Sequence, residues 1–367
     1  MTNPIRETLL FKKEAGCLIG SAIGDAFGIR VEMMHYKDIR DQYGRVTHFD
    51  RLPPRKPSQQ SPLERWYPFG VQPALVGGFH PLGAFGREVG TYTDDTRYRL
   101  LVLHAILQKG GPIDGKDFAE ALLSYRLMAE GANDHPPTLS WDGPQREYAR
   151  LLASLPQLTE LSNQRRPCRA GWDAPLGMIH PGDPASAAEE GYAMAVAVAT
   201  ALSPGATIDD VIDNVLKCAW TIGRYANEFV GRLEKLLEIA AKCSSVDDLF
   251  EPFYREFIIM FPPWEGVFAL EMVPCALAMC YIARANPAEA IIGATNIGRD
   301  ADTIAGMAGE LAGALHGVDA LPKDWVDKIL RVNPQPDLNQ MVEDLCILIK
   351  NRAQMQAKNA SQVLSML

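Results

Sequence analysis

The sequence predicts an all-α protein, and two observations carry that prediction. Apolar residues recur at three- and four-residue spacing along most of the 367-residue chain, which is the period of a helix with one buried face. No run alternates apolar and polar residues between turn signals, so a sheet is not demanded. More than ten helices are expected.

The first expected helix runs from Leu9 to Phe27. A second covers Thr96 to Gln108, with Leu100, Leu101, Leu103, Ile106 and Leu107 apolar and Gly110-Gly111 as its stop. The same periodicity predicts helices over Lys116 to Glu130, Ala185 to Leu202, Ile208 to Trp220, Asn227 to Lys242 and Val273 to Ala285. Pro287 to Asn296, Asp302 to Leu315, Lys323 to Val332 and Asp337 to Lys350 complete the set. Two stretches, Arg51 to Gly90 and Asn163 to Pro184, are rich in proline and glycine and read as long irregular loops. Loops of that length in a compact protein are functional or disordered.

Composition bounds the function. With 47% hydrophobic and 22% charged residues the chain is globular. It shows no internal repeat and no composition break, so one domain over residues 1–367 is expected. Forty-five acids against 36 Lys+Arg give a net charge of −9, which argues against a general nucleic-acid binder. The seven cysteines are odd in number and form no C-x-x-C, as in a reducing compartment. Arg6, Glu7, Lys12 and Lys13 break the N-terminal apolar run, which makes a poor signal peptide. The uncharged stretch Gly191 to Ile208 is interrupted by Ser203-Pro204-Gly205, so no membrane association is expected. The expected location is the cytoplasm.

Three motifs carry chemistry. Gly16, Gly20, Gly24 and Gly28 recur every fourth residue in the first helix. Each costs ~1 kcal/mol of helix propensity, and close approach of another backbone is the reason that repays it. Asp25 and Glu32 close this segment; on spacing alone they read as a capped helix end with a solvated acid. Thr93-Asp94-Asp95 directly precedes a helix. Taken alone it reads as a cap, but three consecutive oxygen side chains also suit a hard cation such as Mg²⁺. Asp300-Ala-Asp302-Thr303 opens a helix bearing Gly306, Gly309, Gly313 and Gly317 on one stripe with Asp302. If this stripe meets the glycine face of the first helix, Asp25, Asp300 and Asp302 become neighbours. Clustered acids repel at short range unless a cation neutralises them. An oxygen-only set with no His or Cys points to Mg²⁺, Mn²⁺ or Ca²⁺ rather than zinc, and two ions ~4 Å apart suit the number of ligands.

These residues resemble the motifs of the ADP-ribosylglycohydrolase family, which includes the dinitrogenase-reductase-activating glycohydrolases. The correspondence is G-x-x-x-G-D-A-x-G-x-x-x-E at Gly20 to Glu32, T-D-D-T at Thr93 to Thr96, and D-x-D-T with its glycine helix at Asp300 to Gly317. Order and spacing extend over about residues 14–330. The resemblance implies an orthogonal all-α bundle around a binuclear Mg²⁺ centre, with Mn²⁺ as the alternative metal. It implies hydrolysis at the anomeric carbon of an ADP-ribosyl group on a protein side chain or small molecule. The family's metal ligands map to Thr93, Asp94, Asp95, Asp300, Asp302 and Thr303, and its acidic residue after the first helix maps to Glu32. Glycoside cleavage passes through an oxocarbenium-like transition state, and one carboxylate must take a proton from water. Glu32, Asp95 and Asp302 are therefore the expected catalytic residues, and Asp25 is expected at the substrate. The sequence departs from the family pattern at Arg30, where proline is frequent, and at a shortened segment after Pro184.

Weaker signals complete the reading. Arg169, beside Gly171 and Trp172, suits a pyrophosphate, although an exposed basic turn reads equally well. Two alternatives to ADP-ribosyl hydrolysis stay open: hydrolysis of a smaller ribosyl or nucleoside substrate, and a non-catalytic ADP-ribose-binding protein. A prenyl-diphosphate enzyme is remote, because the chain has no D-D-x-x-D motif.

Overall fold

The computed structural model describes residues 4–53, 88–124, 173–191, 193–220, 226–258 and 268–367. Helices dominate these residues, and no strand occurs among them; one antiparallel bridge joins His35 to Gly298.

The N-terminal half holds α1 (Leu9–Gly28), α2 (Tyr36–Tyr43), α3 (Asp94–Lys109) and α4 (Gly115–Ser124). Next come α5 (Ala174–Met178), α6 (Pro184–Glu190), α7 (Ala193–Ala201), α8 (Ile208–Lys217) and α9 (Ala226–Ala240). After a π-helical turn at Phe253–Phe257 follow α10 (Phe268–Ile282), α11 (Pro287–Asn296), α12 (Ala301–His316), α13 (Lys323–Val332) and α14 (Leu338–Leu364).

Most predicted helices form close to their expected bounds, and the exceptions have local causes. The Ala185 to Leu202 helix is two helices, because Gly191 adopts extended backbone (φ −134°, ψ −171°) between α6 and α7. Helix α3 starts at Asp94, before the expected Thr96, because the Thr93 side chain accepts from the Asp95 amide and so caps it. The last helix runs to Leu364, well past the expected Lys350, and its final residues are exposed. Helix α2 was not foreseen; its apolar residues are few and His35 caps it, accepting from the Lys37 amide.

The centre of the molecule is the antiparallel pair α1 and α12, both buried over almost their whole length. Their contact is backbone to backbone. A Cβ placed on Gly16, Gly20, Gly24 or Gly28 would fall on the carbonyl of Gly313, Gly309, Ala305 or Ala301 respectively. The predicted glycine contact is therefore present, but its register differs from the expected stripe. Ala301, Ala305, Gly309 and Gly313 meet α1, whereas Gly306 faces Arg99 of α3. Asp302, one residue on from Ala301, is thereby turned out of the seam. Helices α11, α10, α7 and α14 pack around this pair and seal it. No helix among the described residues is long and apolar enough to cross a membrane.

Candidate active site

The site forms where three chain segments meet. Because α1 and α12 are antiparallel, the C-terminal end of α1 lies beside the N-terminal end of α12. Helix α3 starts at the same place, since Asp95 is bonded to Thr303. Two helix N-termini thus face the cluster, and their dipoles favour carboxylates there.

Asp25 anchors the T-D-D-T loop from below. It has no exposed surface, and its carboxylate accepts from the Thr93 amide, the Thr96 amide and the Thr96 hydroxyl, at 3.0, 3.0 and 2.5 Å. Burial, then repulsion from Asp95, pushes its carboxyl up to about 7 against those stabilising bonds. The structure places Asp25, expected at the substrate, beneath the loop: its carboxylate is buried and bonded to Thr93 and Thr96.

Above it, Thr303 donates its hydroxyl to Asp95 at 2.5 Å, joining α12 to α3 across 208 residues of sequence. The Asp302 carboxylate accepts from the Thr303 amide at 3.0 Å. Glu32, Asp300 and Asp302 bring carboxylate oxygens within 4.8 Å of one another. Burial and then Asp95 raise Asp300 to about 6. Asp302 lies well above the usual carboxylate range, first through burial and then through Glu32 and Asp300.

A strained connection delivers these acids. Gly298 has φ +77°, and a Cβ there would strike the Met34 carbonyl. Arg299 follows at φ +62°, a costly conformation for a side-chain-bearing residue. Its guanidinium is held by Glu271 of α10 through two bonds of 2.7 Å in fork geometry. The Met33 amide donates to the Arg299 carbonyl at 2.5 Å, and the Arg299 amide to the Met34 carbonyl at 2.9 Å. This pairing places Glu32 beside Asp300. Arg30, the departure from proline, donates to the carbonyls of His48 and Asp50 and lies over the Phe27 and Phe49 rings. It fastens the segment that leaves the site.

Of the expected residues, Glu32, Thr93, Asp95, Asp300, Asp302 and Thr303 converge. The side chain of Asp94, and Arg169, Gly171 and Trp172 entirely, lie outside the described residues. Sequence reasoning missed Glu271 and Glu310. Glu271 is the one acid of its apolar helix and Glu310 lies mid-helix among apolar residues, and such a charge is a signal of a buried partner.

The donor set fits a hard divalent cation. All donors are oxygen, three carboxylates converge, and the ionisation of Asp300 and Asp302 is opposed by burial and by neighbouring acids, which a bound cation would reverse.

The described residues form helices whose ends converge on an acidic, oxygen-lined site, and comparison with known proteins gives the family. The sequence model of the ADP-ribosylglycohydrolase family matches residues 6–354. The chain belongs to the ADP-ribosylglycohydrolase family. An uncharacterised Escherichia coli protein, YegU, is 26% identical over 349 residues, 89% of this chain and 93% of the relative. The ADP-ribosyl-dinitrogen reductase glycohydrolase of Rhodospirillum rubrum is 24% identical over 352 residues, 91% of this chain and 95% of that enzyme. An ADP-ribosylarginine hydrolase of Serratia proteamaculans is 40% identical over 57 residues, 16% of this chain and 15% of its own. The chain is accordingly a glycoside hydrolase that cleaves ADP-ribosyl linkages.

Proposed function

We propose that this enzyme is a Mg²⁺-dependent hydrolase that releases ADP-ribose from modified protein side chains, with arginine-linked ADP-ribose first among its substrates. The carrying observation is the convergence of Glu32, Asp300 and Asp302 with the Asp95–Thr303 pair at three helix ends. The names of the Serratia and Rhodospirillum relatives support the ADP-ribosyl substrate, and the first supports the arginine linkage.

The residues divide the work. Asp300, Asp302, Thr303, Asp95, Asp94 and Thr93 would hold two divalent ions, Mg²⁺ or Mn²⁺. Metal bound there would supply positive charge to orient the ribose hydroxyls and to lower the pKa of water. Asp25 keeps the Thr93–Thr96 turn in place, and Thr303 fixes the orientation of Asp95. Glu32, half-buried at the rim of the cluster, takes the proton from the attacking water. Breaking the C1 bond leaves an oxocarbenium-like ribose, which the surrounding carboxylates stabilise by charge. The water oxygen bonds to C1 as the electron pair of the broken bond goes to the side-chain nitrogen or oxygen, which takes the proton that Glu32 received.

The test is release of ADP-ribose from arginine-, serine- and acetyl-linked substrates, followed by chromatography with Mg²⁺ and with chelator. Mg²⁺-dependent release from the arginine conjugate supports the proposal. Release unaffected by chelator overturns the metal role. Turnover of nucleosides or ribosyl compounds alone overturns the substrate class.

A further inference from the structure

One face of α12 carries Asp302, Gly306 and Glu310 at four-residue spacing, and the facing side of α3 carries Asp95 and Arg99. Asp95 and Thr303 make one tie between these helices; Arg99 and Glu310 make a second, deeper in the protein. Arg99 Nε donates to Glu310 Oε2 at 2.9 Å, with side-chain exposures of 1% and 0%. Among the described residues, Nη1 and Nη2 of Arg99 and Oε1 of Glu310 are buried with no hydrogen-bond partner. The guanidinium lies over Gly306, where a Cβ would sit 3.2 Å from Nη2. Its charge acts on Asp95 and Asp25.

This pair is a poor device for stability alone. Burying an ion pair costs desolvation that its attraction seldom exceeds, and apolar residues of similar volume often serve as well. Unpartnered guanidinium nitrogens add to that cost. The location explains the expense, because the pair spans the two helices that carry the two halves of the ligand set.

We propose that Arg99 and Glu310 are positioning residues that fix the separation of the Asp95 and Asp302 halves of the metal centre. The proposal rests on the metal-dependent reading above. Gly306 belongs to the same device, since a Cβ there would press on Nη2 of the guanidinium and shift it.

The experiment is direct Mn²⁺ binding followed by electron paramagnetic resonance, alongside thermal unfolding and helical circular dichroism. It compares the wild type with two variants. The double variant Arg99→Met/Glu310→Leu keeps the volume and removes both charges, so no uncompensated buried charge remains to unfold the protein. Gly306→Ala displaces the guanidinium and improves helix propensity. The expected result is Mn²⁺ binding about tenfold weaker in the double variant, the scale of lost outer-shell support, with an unfolding temperature at or above wild type. Gly306→Ala is expected to shift affinity in the same direction by a smaller factor. Unchanged affinity in both variants overturns the proposal. Affinity that falls only in step with lost thermal stability also overturns it, since packing would then explain the effect. Failure of the wild type itself to bind Mn²⁺ defeats the metal reading and this proposal with it, and that outcome is visible without any variant.

Discussion

Helix α12 presents two faces that do opposite jobs. Toward α1 it offers Ala301, Ala305, Gly309 and Gly313, and the contact works because side chains are absent. Toward α3 it offers Asp302, Thr303 and Glu310, and the contact works through charge and hydrogen bonds. The two faces are one residue apart in register. The seam sets the depth at which α12 lies in the protein, and that depth decides how closely Asp302 approaches Glu32. The chemistry is therefore positioned from behind by a face with no chemistry of its own.

The largest expected effect separates the faces by function. Asp302→Ala removes a carboxylate from the cluster without touching the seam. It should lower ADP-ribose release by about 10²–10³-fold or more while leaving the helical circular-dichroism spectrum intact. Retained turnover would remove Asp302 from the site.

The converse change strikes the seam. Gly20→Ala puts a Cβ on the Gly309 carbonyl, and neither backbone can yield without shifting its helix. Overpacking of this kind costs about 1–3 kcal/mol or more, read as a lower thermal or denaturant midpoint. An unchanged midpoint would show that the seam has slack.

Metal and pH act on the charged face alone. Mg²⁺ at about 100 times its Kd should add about 2.7 kcal/mol of stability, and chelator should remove it. In chelated protein Asp25 and Asp300 titrate at about 7 and about 6, above the ordinary 3.8. The folded chain then holds more protons than the unfolded chain across that window. Their contribution is fully present below pH 3.8 and is lost as pH rises through 6 and 7. His35, lowered to about 4 by burial, opposes this trend, but it is one group against several buried acids. Melting temperature measured against pH should fall toward neutrality with chelator, and Mg²⁺ should flatten the slope. A rise toward neutrality without metal would contradict the assignment.

The smallest effect tests the seam by contrast. Gly231 in α9 is exposed, and a Cβ there meets nothing within 4 Å. Gly231→Ala should stabilise by about 0.5–1 kcal/mol through helix propensity. If it destabilised as Gly20→Ala does, the close approach at the seam would not be the cause.

Much of this was legible in the residues. Four glycines at four-residue spacing, each unfavourable in a helix, announced a backbone contact before any partner was known. Thr93–Thr96 and Asp300–Thr303 announced a cluster of acids and hydroxyls, and these segments do meet. What could not be read was register. The stripe through Asp302, Gly306 and Gly309 suggested that Asp302 lay on the seam; Ala301 lies there instead, since alanine and glycine are nearly interchangeable at such a contact. The bonds that hold Asp25 could not be read either, because its partners Thr93 and Thr96 lie about seventy residues away in sequence.

By itself the sequence determined the helical class, the acidic character of the site and the existence of a close-packed pair, because periodicity, acidic motifs and glycine spacing are local properties. Only the tertiary structure decided which acid faces the cluster and which is enclosed beneath it. It alone paired Arg99 with Glu310 and Arg299 with Glu271. The reason is physical: a charge inside an apolar helix signals that a partner exists, but which partner depends on how helices cross, and crossing is set by many distant contacts at once.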